Sequence, residues 1–316
     1  MSGIKVCLTG GAGQIAYSLI PILLSEDIFE NGSLIDLTLL DIEPCFEKLE
    51  GVKMEIEDCN FKYLNSIKIS TDAKDCFTDV DLIIFLGGYP RKPGMSRKDV
   101  LIKNFEIFKN SGEIVNKYAK PTTKMLVVTN PSNTNCWILD HFTPNIPSKN
   151  KTSLSQLDVE RLKSLVAKKI NVNSSRVENL LIWGNHSKSQ VPDTNNLTVN
   201  DEKFKLSLSE DEKNLIKERG STILEKRGLS SSLSAARAIK SHIKLWYSGT
   251  EYATSFGVKS SGEYNFPKDL FITLPVTIKN SDYSVIMNLN IENIKNSINE
   301  SINELVEENK IVKTLL

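Results

Sequence analysis

From Ile4 to about Asn150, short apolar runs alternate with amphipathic stretches. The runs at 4–9, 37–40, 67–70, 82–86 and 125–129 are each of strand length and bounded by turn formers or charge. Near-continuous apolarity over so few residues predicts strands buried on both faces. Between them, 14–24 and 98–118 have helical spacing, and in the second Leu101, Phe105, Phe108 and Val115 fall on one stripe. Strands alternating with helices predict an α/β fold with a doubly wound parallel sheet.

The segment from Thr143 to Asn150 is rich in breakers and polar residues and is the best candidate boundary. The expected domains are therefore 1–150 and 151–316. In the second, 158–170 reads as a helix, 177–183 as a strand, and 209–227, 230–247 and 291–315 as three further helices, a mixed α+β rhythm. The stretch 191–208, with several Asn, Asp and Thr, reads as loop or hairpin. No internal repeat or low-complexity tract interrupts the chain.

At 316 residues the chain is long enough for two domains with a sizeable core. Its 39 Lys and Arg balance 39 Asp and Glu, which leaves no bulk positive field for a nucleic acid. With 40% hydrophobic and 25% charged residues it has globular composition. The apolar run Leu82-Ile83-Ile84-Phe85-Leu86 falls far short of the roughly 20 residues a membrane helix needs, so no membrane span is expected. Met1-Ser2-Gly3-Ile4-Lys5-Val6 runs straight toward Gly10 without a secretory apolar stretch, and a cytoplasmic location is expected. Five cysteines, Cys7, Cys45, Cys59, Cys76 and Cys136, have no CxxC spacing and read as reduced thiols, with no metal role.

The chemistry begins at Gly10-Gly11-Ala12-Gly13-Gln14-Ile15-Ala16, a glycine turn between a strand and a helix. Gly11, Gly13 and Ala16 fit G-x-G-x-x-A, and the run can equally be phased on Gly10 and Gly13. Either way, residues without bulk let backbone approach a pyrophosphate at a helix amino terminus. An ordinary tight turn is the alternative. Asp41 stands at the carboxyl end of the second strand, where a carboxylate accepts from both ribose hydroxyls of an adenosine and disfavours a 2′-phosphate, hence NAD. Its alternatives are a helix cap, or Glu43 as the acid.

After the fourth strand, Gly87-Gly88-Tyr89-Pro90-Arg91-Lys92-Pro93-Gly94-Met95-Ser96-Arg97 has hinge residues and two guanidinium groups suited to carboxylates. A basic surface loop is the plainer reading. Asn130-Pro131-Ser132-Asn133-Thr134-Asn135 follows the fifth strand, either as a ligand loop or as a turn capped at Ser132 or Asn133. Asp158 and Arg161 share a helix face, as a site or as a helical ion pair. Of the three histidines, His141 and His242 read as helix-capping or solvent-facing. His186, directly after a strand, is the candidate proton carrier, with metal ligation the weaker reading.

In this order, Thr9-Gly-Gly-Ala-Gly-Gln-Ile-Ala16, Leu39-Leu-Asp41, Pro90 to Asp99, Asn130 to Asn135, Leu157-Asp158 with Arg161, Ile182-Trp-Gly-Asn-His186 and Ser231-Ser-Leu-Ser-Ala-Ala236 resemble the malate dehydrogenases of cytosolic type, within the lactate and malate dehydrogenase superfamily. The resemblance covers almost the whole chain. It implies a Rossmann sheet binding NAD through Gly10, Gly11, Gly13, Gln14, Ile15, Asp41, Asn104 and Asn130, followed by a substrate-binding and catalytic domain. It implies His186 as general base, Asp158 as its orienting partner, Arg161 on the carboxylate beside the reacting carbon, Arg97 on the carbonyl oxygen, Arg91 on the second carboxylate, and Asn130 holding substrate. Ser234 would be a lesser binding position. Interconversion of (S)-malate and oxaloacetate, a small dicarboxylate partner, a place in the tricarboxylic acid cycle and a homodimer are implied with it.

Departures from the pattern are few. Val159 and Glu160 fill the two places between the Asp and Arg with unusual residues, 196–218 is shortened, and 46–51 resembles the chloroplast NADP-dependent relatives although Asp41 argues for NAD. A lactate dehydrogenase arisen within the family is the alternative enzyme, distinguished at Arg91, and a non-catalytic nucleotide-binding protein is the alternative outside enzymology.

Overall fold

A computed structural model describes residues 3–89 and 95–316, except for the side chain of Arg97. The chain forms two compact units, the first running to Ser153 and taking in Glu308–Leu316, the second spanning Leu154–Glu307. The return of the carboxyl terminus to the first unit is a feature that a single cut at 150 does not anticipate.

In the first unit the order is β1 (Ile4–Thr9), α1 (Gln14–Ser25), β2 (Ile35–Leu40), α2 (Phe46–Asp58), β3 (Leu64–Ser70), α3 (Ala73–Phe77), β4 (Leu82–Phe85), α4 (Arg97–Tyr118), β5 (Lys124–Val127), α5 (Ser132–Phe142) and β6 (Lys151–Ser153). The strands lie side by side as β6-β5-β4-β1-β2-β3, all parallel. This is the expected doubly wound Rossmann sheet. The winding direction reverses between β1 and β4, so a ligand crevice opens at their carboxyl ends. Thr9 pairs with Leu40 on one side and Phe85 on the other, so the three strands finish level.

β4 is buried throughout, and the α4 stripe of Leu101, Phe105, Phe108 and Val115 is buried as its spacing predicts. α4 begins with a capping box in which Ser96 Oγ accepts from Asp99 N–H and the Asp99 carboxylate accepts from Ser96 N–H. β2 and β3 start earlier than their apolar runs because Asp36 Oδ1 accepts from Asn65 Nδ2 at 2.7 Å and Ser66 Oγ at 2.5 Å. β6 has no counterpart among the expected strands, and it opens on a charged residue, Lys151. That residue is buried, its Nζ donating to Asp140 Oδ1 (2.7 Å), Thr143 O (3.0 Å) and Ile146 O (2.8 Å), which replaces all three of its water contacts.

The second unit contains α6 (Gln156–Lys169), β7 (Val177–Glu178), β8 (Leu181–Trp183), β9 (Val191–Asp193), β10 (Thr198–Val199), β11 (Glu202–Lys203), α7 (Glu210–Lys217), α8 (Arg219–Arg227), α9 (Leu233–Ser248), β12 (Thr250–Lys259), β13 (Phe271–Lys279) and β14 (Asp282–Val285), and α10 (Lys295–Lys313) begins in it. It is the mixed α+β unit expected, with corrections. The strand expected at 177–183 is two, broken at Asn179, whose φ is 57°. Asn179 is held there by Nδ2 donating to Thr198 Oγ1 and Oδ1 accepting from Ala253 N–H. The helix expected at 209–227 divides at Glu218 into α7 and α8. Of the two readings for 191–208 the hairpin is found, with β10 and β11 joined through Asn200 and Asp201 at φ 52° and 66°, the signs of a type I′ turn. The antiparallel β12–β13–β14 meander was not expected at all.

His242 corrects another expectation. It lies on α9 at the buried stripe of Ile239, Ile243 and Trp246, without solvent exposure, its ring stacked on Phe256 with centroids 3.6 Å apart. Burial pushes its pKa down to about 3. A folded pKa below the unfolded value of about 6.5 means the contribution to stability is complete above about pH 6.5 and is lost progressively as pH falls toward 3. Between pH 6.5 and pH 5 this costs about 2 kcal/mol. Urea midpoints from pH 8 to pH 5 should fall steeply in the native protein and less steeply in His242→Phe, and parallel slopes would contradict the assignment.

Candidate active site

The nucleotide end is built from backbone. Gly10 has φ +67°, and a Cβ on it would lie 2.7 Å from Gly87 Cα, while one on Gly11 would lie 2.7 Å from Leu39 Cβ. Such approaches need glycine. Thr9 Oγ1 accepts from the N–H groups of Leu86 and Gly87, both at 3.1 Å, binding the end of β1 to the end of β4. Gly13 is the N-cap of α1 in extended conformation, and no side chain caps the helix. Gln14 and Ile15 form its first turn, Gln14 exposed and Ile15 half-buried. An uncapped helix start behind a glycine turn fits an anion such as pyrophosphate.

Asp41 faces this turn, with Oδ2 accepting from Ala12 N–H at 2.9 Å and Oδ1 from Ile42 N–H at 2.8 Å. Glu43, the alternative acid, is instead occupied by Thr71 Oγ1 at 2.7 Å. The cradle, the uncapped helix and the carboxylate fit an NAD-type dinucleotide. Asn104 is fully buried, its Oδ1 accepting from Tyr89 N–H (2.8 Å) and its Nδ2 donating to Val100 O (3.1 Å) and Asn130 O (3.3 Å). It thus brackets the two loops after β4 and β5. Asn130 itself is exposed and precedes a cis peptide to Pro131. The N-cap of α5 is Pro131 with no side-chain cap bond, so neither Ser132 nor Asn133 plays the capping part considered above. Ser132 to Asn135 are buried, and Ser132 Oγ has no hydrogen-bond partner among the described residues.

In the second unit, Asp158 stands in the first turn of α6 with its side chain 1% exposed. The start of that helix is fixed by Gln156 Nε2, which donates to Thr254 Oγ1 at 2.7 Å and Ser255 O at 3.0 Å, and by Ser155 Oγ, which donates to Ser255 O. His186 Nδ1 meets Asp158 Oδ2 at 2.6 Å, and Arg161 Nη1 donates to Asp158 Oδ1 at 2.9 Å. Gln190 Nε2 adds a third contact to Oδ1 at 3.3 Å. Burial alone would push the Asp158 carboxyl up, but the charges and hydrogen bonds of His186, Arg161 and Gln190 outweigh it and hold the group below the ordinary carboxylate range. The His186 and Arg161 side chains are 19% and 13% exposed, so both project from a buried anchor toward solvent.

Sequence reasoning thus anticipated Asp158, Arg161 and His186, which come together, and missed Gln190 and Thr9, whose partners no local spacing reveals. Ser234 is exposed in the first turn of α9. Arg91 lies outside the described residues; Arg97 is the first residue of α4, its side chain likewise outside the description.

Residues 4–152 match the family profile described as lactate/malate dehydrogenase, NAD binding domain, and residues 155–315 match the corresponding alpha/beta C-terminal domain. A cytoplasmic malate dehydrogenase of Taenia solium is 41% identical, with 98% of this chain and 97% of that protein aligned. Among solved structures, malate dehydrogenase from Naegleria fowleri superposes with a TM-score of 0.94 at 35% identity, covering 100% of this chain and 99% of the other. Trichomonas vaginalis lactate dehydrogenase in complex with NADH and oxamate does so with a TM-score of 0.92 at 32% identity, covering 99% and 98%. With both profiles matched end to end, the chain belongs to the lactate/malate dehydrogenase family and is an NAD-dependent oxidoreductase acting on a small hydroxy or keto acid.

Proposed function

We propose that the protein is a malate dehydrogenase, moving hydride reversibly between (S)-malate and oxaloacetate. The observation that carries this reading is the buried Asp158 carboxylate with His186 on one oxygen and Arg161 on the other. Bound NAD supplies the hydride acceptor. Asp158 engages Nδ1 of His186, so the proton of the substrate hydroxyl goes to Nε2, and the imidazolium that results is stabilised by the adjacent carboxylate. Arg161 spends Nη1 on Asp158 and is thereby oriented to clamp the carboxylate next to the reacting carbon. Arg97 polarises the developing carbonyl oxygen, Arg91 takes the second carboxylate, and Asn130 holds the substrate near the nicotinamide.

On this reading residues 1–150 are the NAD-binding domain and 151–316 the substrate-binding and catalytic domain, with Arg91, Arg97 and Asn130 of the first also assigned to the substrate. Gly10, Gly11, Gly13, Gln14 and Ile15 meet the pyrophosphate, Asp41 the adenosine ribose, and Asn104 acts at the cofactor through the loops it brackets. Ser234 is a minor contact. A cytoplasmic location and a place in the tricarboxylic acid cycle go with it, supported by relatives named cytoplasmic malate dehydrogenase. No helix among the described residues is long and apolar enough to cross a membrane. A homodimer accords with the exposed Tyr17 on α1 and Met54 on α2, which a second copy would cover. The second reading is a lactate dehydrogenase-like enzyme, favoured by the likeness to the Trichomonas vaginalis protein; Arg91 argues for malate, because pyruvate has no second carboxylate for it.

Oxaloacetate reduction with NADH should be the main activity, and His186→Asn should lower kcat by about 10²–10⁴-fold with NADH affinity retained. Native protein that binds NADH yet turns over no faster than this variant would sink the assignment. NADH should be preferred to NADPH, and Asp41→Ser should narrow the preference; equal native efficiency with the two cofactors would contradict the ribose role. Arg91→Leu should leave the remote carboxylate unpaired at a cost of about 2–5 kcal/mol if buried, or roughly thirty-fold to several-thousand-fold in kcat/KM for oxaloacetate. Pyruvate reduction should fall little or rise. An unchanged oxaloacetate-to-pyruvate ratio would return Arg91 to the surface.

A further inference from the structure

Asp158 orients the ring of His186, but the ring can be no better placed than the backbone that carries it. His186 is the middle residue of a tight turn in which Ser187 N–H donates to Asn185 O at 2.8 Å. Both flanks of this turn are bonded to one face of α10. Asn185 N–H donates to Ser301 Oγ at 2.8 Å, and Ser187 Oγ donates to Glu304 Oε2 at 2.5 Å. Ser189 Oγ also donates to Glu304 Oε2 at 2.5 Å and lies 2.9 Å from Ser301 Oγ, while Ser189 N–H donates to Ser187 Oγ at 3.0 Å. Ser301 and Glu304 are three apart and so share a helix face.

The protons can be counted. Three hydroxyls carry three protons; Glu304 Oε2 accepts those of Ser187 and Ser189, and Ser301 gives its own to Ser189. Ser301 Oγ then accepts from Asn185 N–H, and Ser187 Oγ from Ser189 N–H. Each proton is used once. The contact of Ser187 and Ser189 at 2.8 Å is then that of two donors converging on one carboxylate oxygen. The fit extends to the strand end: Gly184 has φ +89°, and a Cβ there would lie 2.2 Å from Ser301 Oγ, so helix and backbone approach more closely than a side chain at 184 permits.

We propose that Ser301 and Glu304 of α10 are positioning residues for the dehydrogenase reaction, fixing the backbone on which His186 presents its ring to the substrate. The inference rests on the malate dehydrogenase reading for its kinetic consequences and on the hydrogen-bond geometry alone for its structural ones. Glu304 acts as an acceptor of two hydroxyl protons, so a glutamine carbonyl can take its place and an alanine cannot.

The test compares native protein, Glu304→Ala, Glu304→Gln and Ser301→Ala. Each is assayed for kcat and KM with oxaloacetate, for NADH affinity by fluorescence, for thermal unfolding, and for the His186 Nδ1–H resonance in 15N-histidine-labelled protein, identified by its loss in His186→Asn. Glu304→Ala should lose kcat on the order of ten- to a hundredfold, with KM and NADH affinity within about twofold and its Nδ1–H signal broadened by exchange. Glu304→Gln should recover most of the rate and a sharp signal. Should Glu304→Ala fail to fold, Ser301→Ala, which keeps its Cβ against Gly184, carries the same comparison. Native kcat and an unshifted resonance in the folded Ala variants would overturn the proposal. So would a Gln variant as impaired as the Ala variant, since that outcome assigns the effect to charge. If the native protein does not reduce oxaloacetate, the functional reading fails, and the resonance still decides whether α10 positions His186.

Discussion

A carboxylate removed from water stays ionised only where cations and donors replace the solvent it has lost. Asp158 meets that condition with partners of three origins: Arg161 from its own helix, His186 from the turn after β8, and Gln190 from the end of that turn. The dependence is mutual. The carboxylate fixes which nitrogen of His186 faces outward and which face of the Arg161 guanidinium is spent, so a single buried charge sets the geometry of both side chains. Because these charges and hydrogen bonds lower the Asp158 pKa although burial opposes it, the carboxylate stays ionised beside the ring of His186.

The nucleotide end relies on a different physics. What it offers is backbone N–H groups, and the constraint is steric closeness: Gly10 against Gly87, Gly11 against Leu39, and Gly13 at the start of α1, which no side chain among the described residues caps. Thr9 supports this without touching any ligand, since its hydroxyl holds two successive N–H groups of the crossing strand end. The topology makes the crevice, because β1 is flanked by β2 and β4 and the chain leaves it in opposite senses on the two sides.

How much of this was legible in the sequence follows from where each interaction sits along the chain. Strands buried on both faces announce themselves as apolar runs, so β1 and β4 were read almost to the residue. Polar residues that pair within a sheet, such as Asp36 with Asn65 and Ser66, and a buried lysine satisfied by carbonyls, such as Lys151, look like surface and hid the ends of β2 and β3 and all of β6. His242 was misread because lysines flank it at 240 and 244, although the stripe it belongs to is apolar. Asp158 and Arg161 were legible because they are three apart on a helix. The partners that fix the His186 turn lie 116 and 117 positions away, beyond the reach of any local spacing.

The net charge of the chain is zero, so no global field gathers a doubly charged acid. Recognition must then be local, carried by the groups at each site. A pyrophosphate spreads its charge over many oxygens and is suited to several backbone dipoles at once, which need no ionised side chain. A substrate carboxylate concentrates its charge on two oxygens and calls for the planar fork of a guanidinium, which is itself costly to bury. Asp158 eases that cost for Arg161 by pairing one of its nitrogens, so the cation is partly compensated within the protein itself. The same pairing restrains the fork, and a restrained fork favours one orientation of an incoming carboxylate over others.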